Sequence, residues 1–337
     1  MMKVDCFHPP GGGDGFGAAD RAARAGYRGF WTSEVAHDPF LPLAVGTASG
    51  HDILLGTSIA VAFARSPMTL AYTAWDLARA SRGRFVLGLG SQVRGHVTGR
   101  FGMPWSAPVP RMREFVAALR AIWHAWQTGE RLRHRGEHYR HTLMTPFFDP
   151  GPIEHPDIPI HLAAVGQGMA RLVGEVADGI HVHPFHTARY LAEVVGPAIS
   201  AGAARADRDP DAVEVVAALF VVTGDDEAAM AMSAAEARRQ IAFYASTPAS
   251  AGVLETHGWD VAERLTLMSR RGEWEAMADV VDDEMLREVA VVARYDELAD
   301  AIAARVGGAI DRLGVYPAGG PDPFDERWLE VVAALGG

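Results

Sequence analysis

A single cysteine, Cys6, stands in the whole sequence, so no intrachain disulfide can close and no set of thiolates is available for a metal cage. That usage fits a reducing compartment. No uninterrupted apolar run of about 18 residues occurs, and Met1 to Phe7 carries no long apolar core of a leader, so neither a spanning helix nor a secretory signal is expected. Positive charge is also short. Lys plus Arg number 31 against 42 Asp plus Glu, a formal net charge of −11, and no Lys/Arg-rich run offsets it locally. Such a field repels phosphate backbones and anionic lipid, which argues against nucleic-acid and membrane-surface partners. The expected location is the cytoplasm.

Glycine, by contrast, is plentiful: 36 of 337 residues, about 11% against an ordinary share of about 7%. With 49% hydrophobic and 22% charged residues, the balance is that of a globular protein. Length alone allows two domains or one large barrel. The order of elements decides between them. Short apolar runs at Val4 to Phe7, Gly29 to Thr32, Ile53 to Val61, Arg84 to Gly90, Ile158 to Val165, Gly179 to His183, Val213 to Thr223 and Ile310 to Tyr316 alternate with helix-period segments. Helices are expected over Asp14 to Gly26, from Pro67, and from Pro110 to Gln127. In the last, Met112, Phe115, Val116, Leu119, Ile122, Trp123 and Trp126 form one apolar stripe. Eight strands alternating with helices predict an α/β fold, a (β/α)₈ TIM barrel, in one domain over 1–337. Insertions are expected near 91–110, 128–157 and 240–280. An open doubly wound sheet is the competing architecture.

In a barrel the active site lies at the carboxyl ends of the strands, so the residues just after each strand become candidates. These are His8, Pro9 and Gly11 to Gly13; Ser33, Glu34, His37 and Asp38; Ser58 to Ala62; Gly90, Ser91, Gln92 and Arg94; Gly166 to Gly168; and His181, His183 and His186. Val165-Gly166-Gln167-Gly168-Met169 is a glycine-rich turn opening a helix, where unpaired N–H groups and the helix dipole suit a phosphate; an ordinary ligand-free turn explains it equally well. His181 and His183 share one face of a strand, a spacing compatible with metal ligation together with His186, but no partner set is evident and no metal is expected. Glu34 near His37 suits proton transfer, whereas Asp38 before Pro39 reads as a helix cap. His134, His138 and His141, interleaved with Arg133, Arg135 and Arg140, read as a solvated face.

Three stretches together resemble a known family: Ala64-Arg65-Ser66-Pro67-Met68-Thr69-Leu70-Ala71, then Ser81-Arg82-Gly83-Arg84-Phe85-Val86-Leu87-Gly88-Leu89-Gly90, then Arg111-Met112-Arg113-Glu114. With a downstream turn before Ala177-Asp178-Gly179, they are similar to the luciferase-like monooxygenase superfamily, and most to its branch using the deazaflavin coenzyme F420. The resemblance runs from the first strand to the Ala309 to Tyr316 segment. It implies a (β/α)₈ barrel, commonly a homodimer, that holds a flavin or deazaflavin at its strand ends. It further implies that Ser58, Ile59 and Ala60 form a bulge under one ring face, where family members often hold a non-proline cis peptide. Gly90, Ser91 and Gln92 would border the ring, and Ala164, Val165, Gly166, Gln167, Gly168 and Met169 would take the phosphate. Ile180 to His183, with His181 and His183 facing in, would line the opposite wall.

The sequence also departs from one subgroup of that family. Where deazaflavin sugar-phosphate dehydrogenases carry an Asp-His pair after the second strand and a Glu soon after the fourth, this chain has Glu34-Val35 and Val93, so that acid/base assignment does not carry over. The nearest proton carriers are His8, Glu34 and His183, with Glu34 and His8 jointly preferred. The expected activity is F420-dependent hydride transfer between the deazaflavin C5 and a small organic substrate. The alternatives are an FMN-dependent monooxygenase, a metal-dependent barrel hydrolase built on His181 and His183, and a flavin-binding protein without turnover. Trp105, Phe243, Tyr244 and Trp259 would give the pocket an apolar roof.

Overall fold

The computed structural model describes residues 2–8, 15–317 and 319–336. Pro9, Gly11 to Gly13 and Asp14 therefore lie outside the described residues. Eight parallel strands close on themselves: β1 Lys3–Phe7, β2 Gly29–Thr32, β3 Leu54–Thr57, β4 Phe85–Gly90, β5 Ile160–Ala164, β6 Gly179–Val182, β7 Glu214–Val222 and β8 Arg312–Val315. Each pairs with the next, and Val4 of β1 pairs with Leu313 of β8 to complete the ring. This is the (β/α)₈ barrel the alternation predicts, not the open sheet. Nearly every strand position is buried because side chains alternate between the barrel interior and the helix layer.

The interior explains part of the glycine excess. Trp31, Val86 and Val216 meet at its centre with Phe7 and Leu54 packed on them. Opposite each large side chain stands a residue with none. A Cβ on Gly56 would sit 2.2 Å from the Trp31 ring, one on Gly314 2.3 Å from the Phe7 ring, and one on Gly179 2.5 Å from His161 Nε2. Large and absent side chains thus interdigitate, as a filled barrel requires. Below Trp31, buried Asp5 accepts from Arg312 twice, at 2.7 and 2.8 Å, and from Trp31 Nε1 at 2.7 Å.

Two of the stretches that carry the family resemblance lie at the amino end of the barrel and have structural explanations. Arg82 and Gly83 take left-handed conformations (φ 56° and 80°), and Arg84 Nε donates to Ser81 O at 2.8 Å and its Nη1 to Ile53 O at 3.2 Å. Asp178 Oδ2 accepts from Ile160 N at 2.8 Å and Arg120 at 3.0 Å, tying β5 to β6 and the long helix.

That helix, Pro108–Thr128, buries the stripe from Met112 to Trp126 and ends at Gly129 in the left-handed region (φ 73°). Several expectations need correction. Ile53 to Val61 is not one strand: β3 stops at Thr57, the Ser58–Ile59 peptide is cis, and Ala60–Val61 then pairs with Leu89 and Gly90 of β4. The first helix is shorter than expected, Ala18–Arg24. Between β7 and β8 a further short strand absent from the expected eight, Ala290–Val292, extends the sheet beside β7. His134 and His141 are not on a solvated face; their rings face each other at 6.2 Å across a two-stranded hairpin that Glu114 clamps by accepting from His138 N at 2.9 Å and from Tyr139 N. Among the described residues, no helix is long and apolar enough to cross a membrane.

Candidate active site

The carboxyl end of the barrel begins with the break after β3. Glu34, just past β2, clamps this break from both sides: its N–H donates to Ile59 O at 3.1 Å, and its Oε2 accepts from Val61 N at 2.7 Å and from Arg65 Nη1 at 2.6 Å. The ion pair is largely withdrawn from water, with Glu34 8% and Arg65 20% exposed. Asp38 Oδ1 accepts from Phe40 N at 2.8 Å, so the capping reading of Asp38 holds at the helix Phe40–Gly46. The platform Ser58, Ile59 and Ala60 is therefore fixed by residues from two neighbouring elements.

β4 passes beside this platform with no side chain at Gly88 or Gly90. A Cβ on Gly88 would fall 1.8 Å from Thr57 O, and one on Gly90 2.6 Å from Ile59 Cδ1. The backbones approach as closely as they can, which leaves a flat surface. Beyond Gly90 and Ser91, Gln92 adopts a left-handed conformation (φ 57°), and its own Oε1 accepts from Val93 N at 2.9 Å.

Between Ala164 and Met169 the chain turns from β5 into the helix Gln167–Val176. No side chain caps this helix. Gly166 to Gly168 are exposed, space around a Cβ on Gly166 is open, and one on Gly168 would meet only Val109 at 3.6 Å. The N–H groups of Gln167 and Gly168 thus lie at the exposed, positive end of the helix dipole, which suits a phosphate, whereas Met169 N already donates to Gly166 O at 3.2 Å. Tyr190 fixes the turn by donating to Val165 O at 2.7 Å.

β6 supplies the histidines. His181 lies inside the barrel, its Nδ1 3.3 Å from Ser58 Oγ and its ring edge-on to Trp31 at 4.8 Å. Its Nε2 is buried with no hydrogen-bond partner. Burial, then His161 and Arg312, hold its pKa well below the usual imidazole range, so it is neutral. His183, one step up the same face, accepts from Phe185 N at 3.1 Å through Nδ1, which puts its proton on Nε2. Burial and the neighbouring His186 push its pKa down to about 4. His186 donates from Nδ1 to His183 O at 2.8 Å. Among the described residues no group of three or more His, Cys, Asp or Glu side chains is arranged to hold a metal ion.

The three residues expected to move a proton occupy separate surroundings. His183 lies at the mouth and Glu34 lies behind the platform in its ion pair. His8 packs on Phe30 at 5.6 Å, with burial lowering its pKa and Nδ1 left without a partner. Sequence reasoning missed Arg65 as the partner of Glu34, because 31 residues separate them. It also missed a pair of phenols. Tyr244 and Tyr316 share a hydrogen bond at 2.5 Å, with Tyr244 edge-on to His183 at 4.5 Å and Tyr316 against Phe220 at 4.8 Å. Of the expected roof, Tyr244 covers His183, Trp259 stacks on His257 at 4.2 Å, Trp105 meets Phe63, and Phe243 remains exposed.

Comparison with known proteins follows the same lines. The model of the luciferase-like monooxygenase family matches residues 14–312. An uncharacterized protein of Mycobacterium tuberculosis is 51% identical over 300 residues, 88% of each chain. A 5,10-methylenetetrahydromethanopterin reductase of Methanolobus tindarius is 30% identical over 324 residues, covering 93% of this chain and 92% of its own. Among solved structures, the coenzyme F420-dependent tetrahydromethanopterin reductase of Methanopyrus kandleri superposes with a TM-score of 0.79 at 21% identity, over 99% of this chain and 97% of that one. Members of this family use F420 or FMN and are oxidoreductases or monooxygenases. With the barrel, the platform after β3 and the matched span agreeing, this chain belongs to the luciferase-like monooxygenase family of oxidoreductases.

Proposed function

We propose that the chain is an F420-dependent oxidoreductase transferring hydride between the deazaflavin C5 and a small organic substrate. The observation that carries this reading is the pairing, on one barrel end, of a platform backed by the side-chain-free positions Gly88 and Gly90 with an uncapped helix N-terminus. Ser58, Ile59 and Ala60 with Gly90, Ser91 and Gln92 fit a flat ring, and the backbone from Ala164 to Met169 fits a phosphate. When bound, the deazaflavin supplies or accepts the hydride at C5. The protein's own part is orientation and the proton. Within the platform Ser58 turns its hydroxyl toward His181, and His183 carries a proton at Nε2 on the wall across from it. Glu34 acts on the reaction through the platform, as a positioning residue; His8, directly after the first strand, packs on Phe30.

The choice of F420 over FMN rests on the sequence resemblance to the deazaflavin branch and on the names of the reductase relatives. FMN monooxygenases share the fold, so FMN is the second reading. The metal-hydrolase alternative is set aside because the family is one of oxidoreductases. The same proposal takes residues 1–337 as one cytoplasmic catalytic domain that works as a homodimer, which sedimentation velocity tests. Fluorescence titration with F420 and with FMN tests the cofactor: saturable F420 binding supports the reading, and tight FMN binding with none for F420 overturns it.

A further inference from the structure

Three neighbouring strands end in inward-facing aromatic or imidazole side chains. Alternation along β8 places Arg312, Gly314 and then Tyr316 on the interior face, since Arg312 reaches Asp5 and a Cβ on Gly314 would strike Phe7. The same alternation carries Val216 to Phe220 on β7 and His181 to His183 on β6. Tyr244, from the helix Glu227–Ala245, closes over them. The two phenols contain two O–H groups, and the bond between them uses one. Among the described residues neither phenol has a second hydrogen-bond partner, and both rings are only partly buried. One O–H is therefore left to point at whatever enters the mouth.

The wall is also uncharged at neutral pH. His183 stays neutral, burial raises both phenols above their ordinary range, and Phe220 has no polar atom. A phosphorylated or carboxylate substrate would find no counter-charge there, and burying its charge against this wall would be costly. An uncharged, apolar ketone fits better: its hydrocarbon part lies against the partly buried phenol rings, which themselves cover the fully buried Phe220, and its oxygen accepts the spare O–H. We propose that Tyr244 and Tyr316 form the oxygen-binding subsite for an uncharged, apolar carbonyl compound or the corresponding alcohol. The subsite deepens the oxidoreductase reading and rests on it for its purpose, but its ligand chemistry can be read without the cofactor.

Infrared difference spectroscopy with acetophenone labelled with ¹³C at the carbonyl tests it, on protein with and without F420. The wild type is expected to show a bound carbonyl band shifted to lower frequency than in buffer. Tyr244→Phe/Tyr316→Phe keeps both rings and is expected to lose the shift, with Kd for acetophenone rising about fivefold to tenfold, the loss of one hydrogen bond. If the double variant fails the circular-dichroism check of folding, Tyr244→Phe and Tyr316→Phe are compared singly, and at least one of them should reduce the shift; an unchanged band in both would overturn the subsite. Glucose 6-phosphate, added as the anionic competitor, should leave the band unchanged. A shifted band that persists in the folded variant, displacement of acetophenone by glucose 6-phosphate, or no acetophenone binding to wild type would overturn the subsite. Absence of F420 binding, by contrast, would overturn the cofactor reading and leave the carbonyl band to decide the subsite separately.

Discussion

At the scale of single residues, Glu34 shows how partners define a role. A carboxylate at a strand end near imidazoles reads as a base in the sequence, yet its Oε2 already accepts from Val61 N and Arg65. Removing one member of a withdrawn ion pair leaves the other charge uncompensated, at a cost of about 3 kcal/mol. Glu34→Ala is accordingly expected to lower the urea midpoint by an amount matching that loss, and Arg65→Ala to do the same. The double variant should be less damaged than the sum, because the two act as one unit. Additive losses in the double variant would remove the positioning role. Arg65 was legible only as part of a family stretch, since nothing local in the sequence links residues 31 positions apart.

At the scale of elements, the glycines separate into two kinds with opposite expectations. Gly88 stands where a methyl would meet the Thr57 carbonyl at 1.8 Å, and backbone cannot yield as a side chain can. Gly88→Ala should therefore cost about 3 kcal/mol or more, or abolish folding. Gly166 opens a helix with nothing within 4 Å of an added methyl and an ordinary backbone conformation (φ −92°, ψ 160°). Gly166→Ala should change stability by no more than about 0.5 kcal/mol, while raising Kd for the phosphate-bearing cofactor if that turn holds it. Thermal melts of the two variants side by side check this contrast; equal melting temperatures would contradict it.

The strands themselves were legible because both their faces are buried, which produces apolar runs without polar alternation. Boundaries shifted by one or two residues, except at β3, where the apolar run continues four residues past Thr57. The break at Ser58–Ile59 left no mark in composition, since Ile59, Ala60 and Val61 are as apolar as the strand before them; the family resemblance alone placed it. Ala290–Val292 was hidden for a different reason: three residues between two helices give no period to read. The phenol pair joins residues 72 apart in sequence and depends on the path of a long excursion, which no local pattern encodes.

At the scale of the whole molecule, the stretches that mark the family divide between the two barrel ends. Arg84 and Asp178 hold strands at the amino end, whereas the segments after β3, β4 and β5 shape the carboxyl end, the division expected of stability and function in this fold. Burial of imidazoles ties the whole fold to pH. His161, His183 and His186 are held down to about 4, and His181 lies well below its usual value. With an unfolded value near 6.5, the unfolded chain takes up protons as pH falls from about 6.5 toward 4 while the folded protein does not, so stability falls with falling pH in that window. Each such group contributes up to about 1.4 kcal/mol per pH unit. Melting temperature should drop steeply from pH 6.5 to 4.5, and His186→Asn should flatten the slope; a flat profile in the wild type would refute the neutral-imidazole interior.

The central claim, a deazaflavin held between the platform after β3 and the helix start at Gly166, is tested most directly by equilibrium binding. Purified protein titrated with F420 and with FMN under the same conditions should show saturable binding of F420, weakened by Gly90→Val, and no tight binding of FMN. Tight binding of FMN with none of F420 would contradict the account.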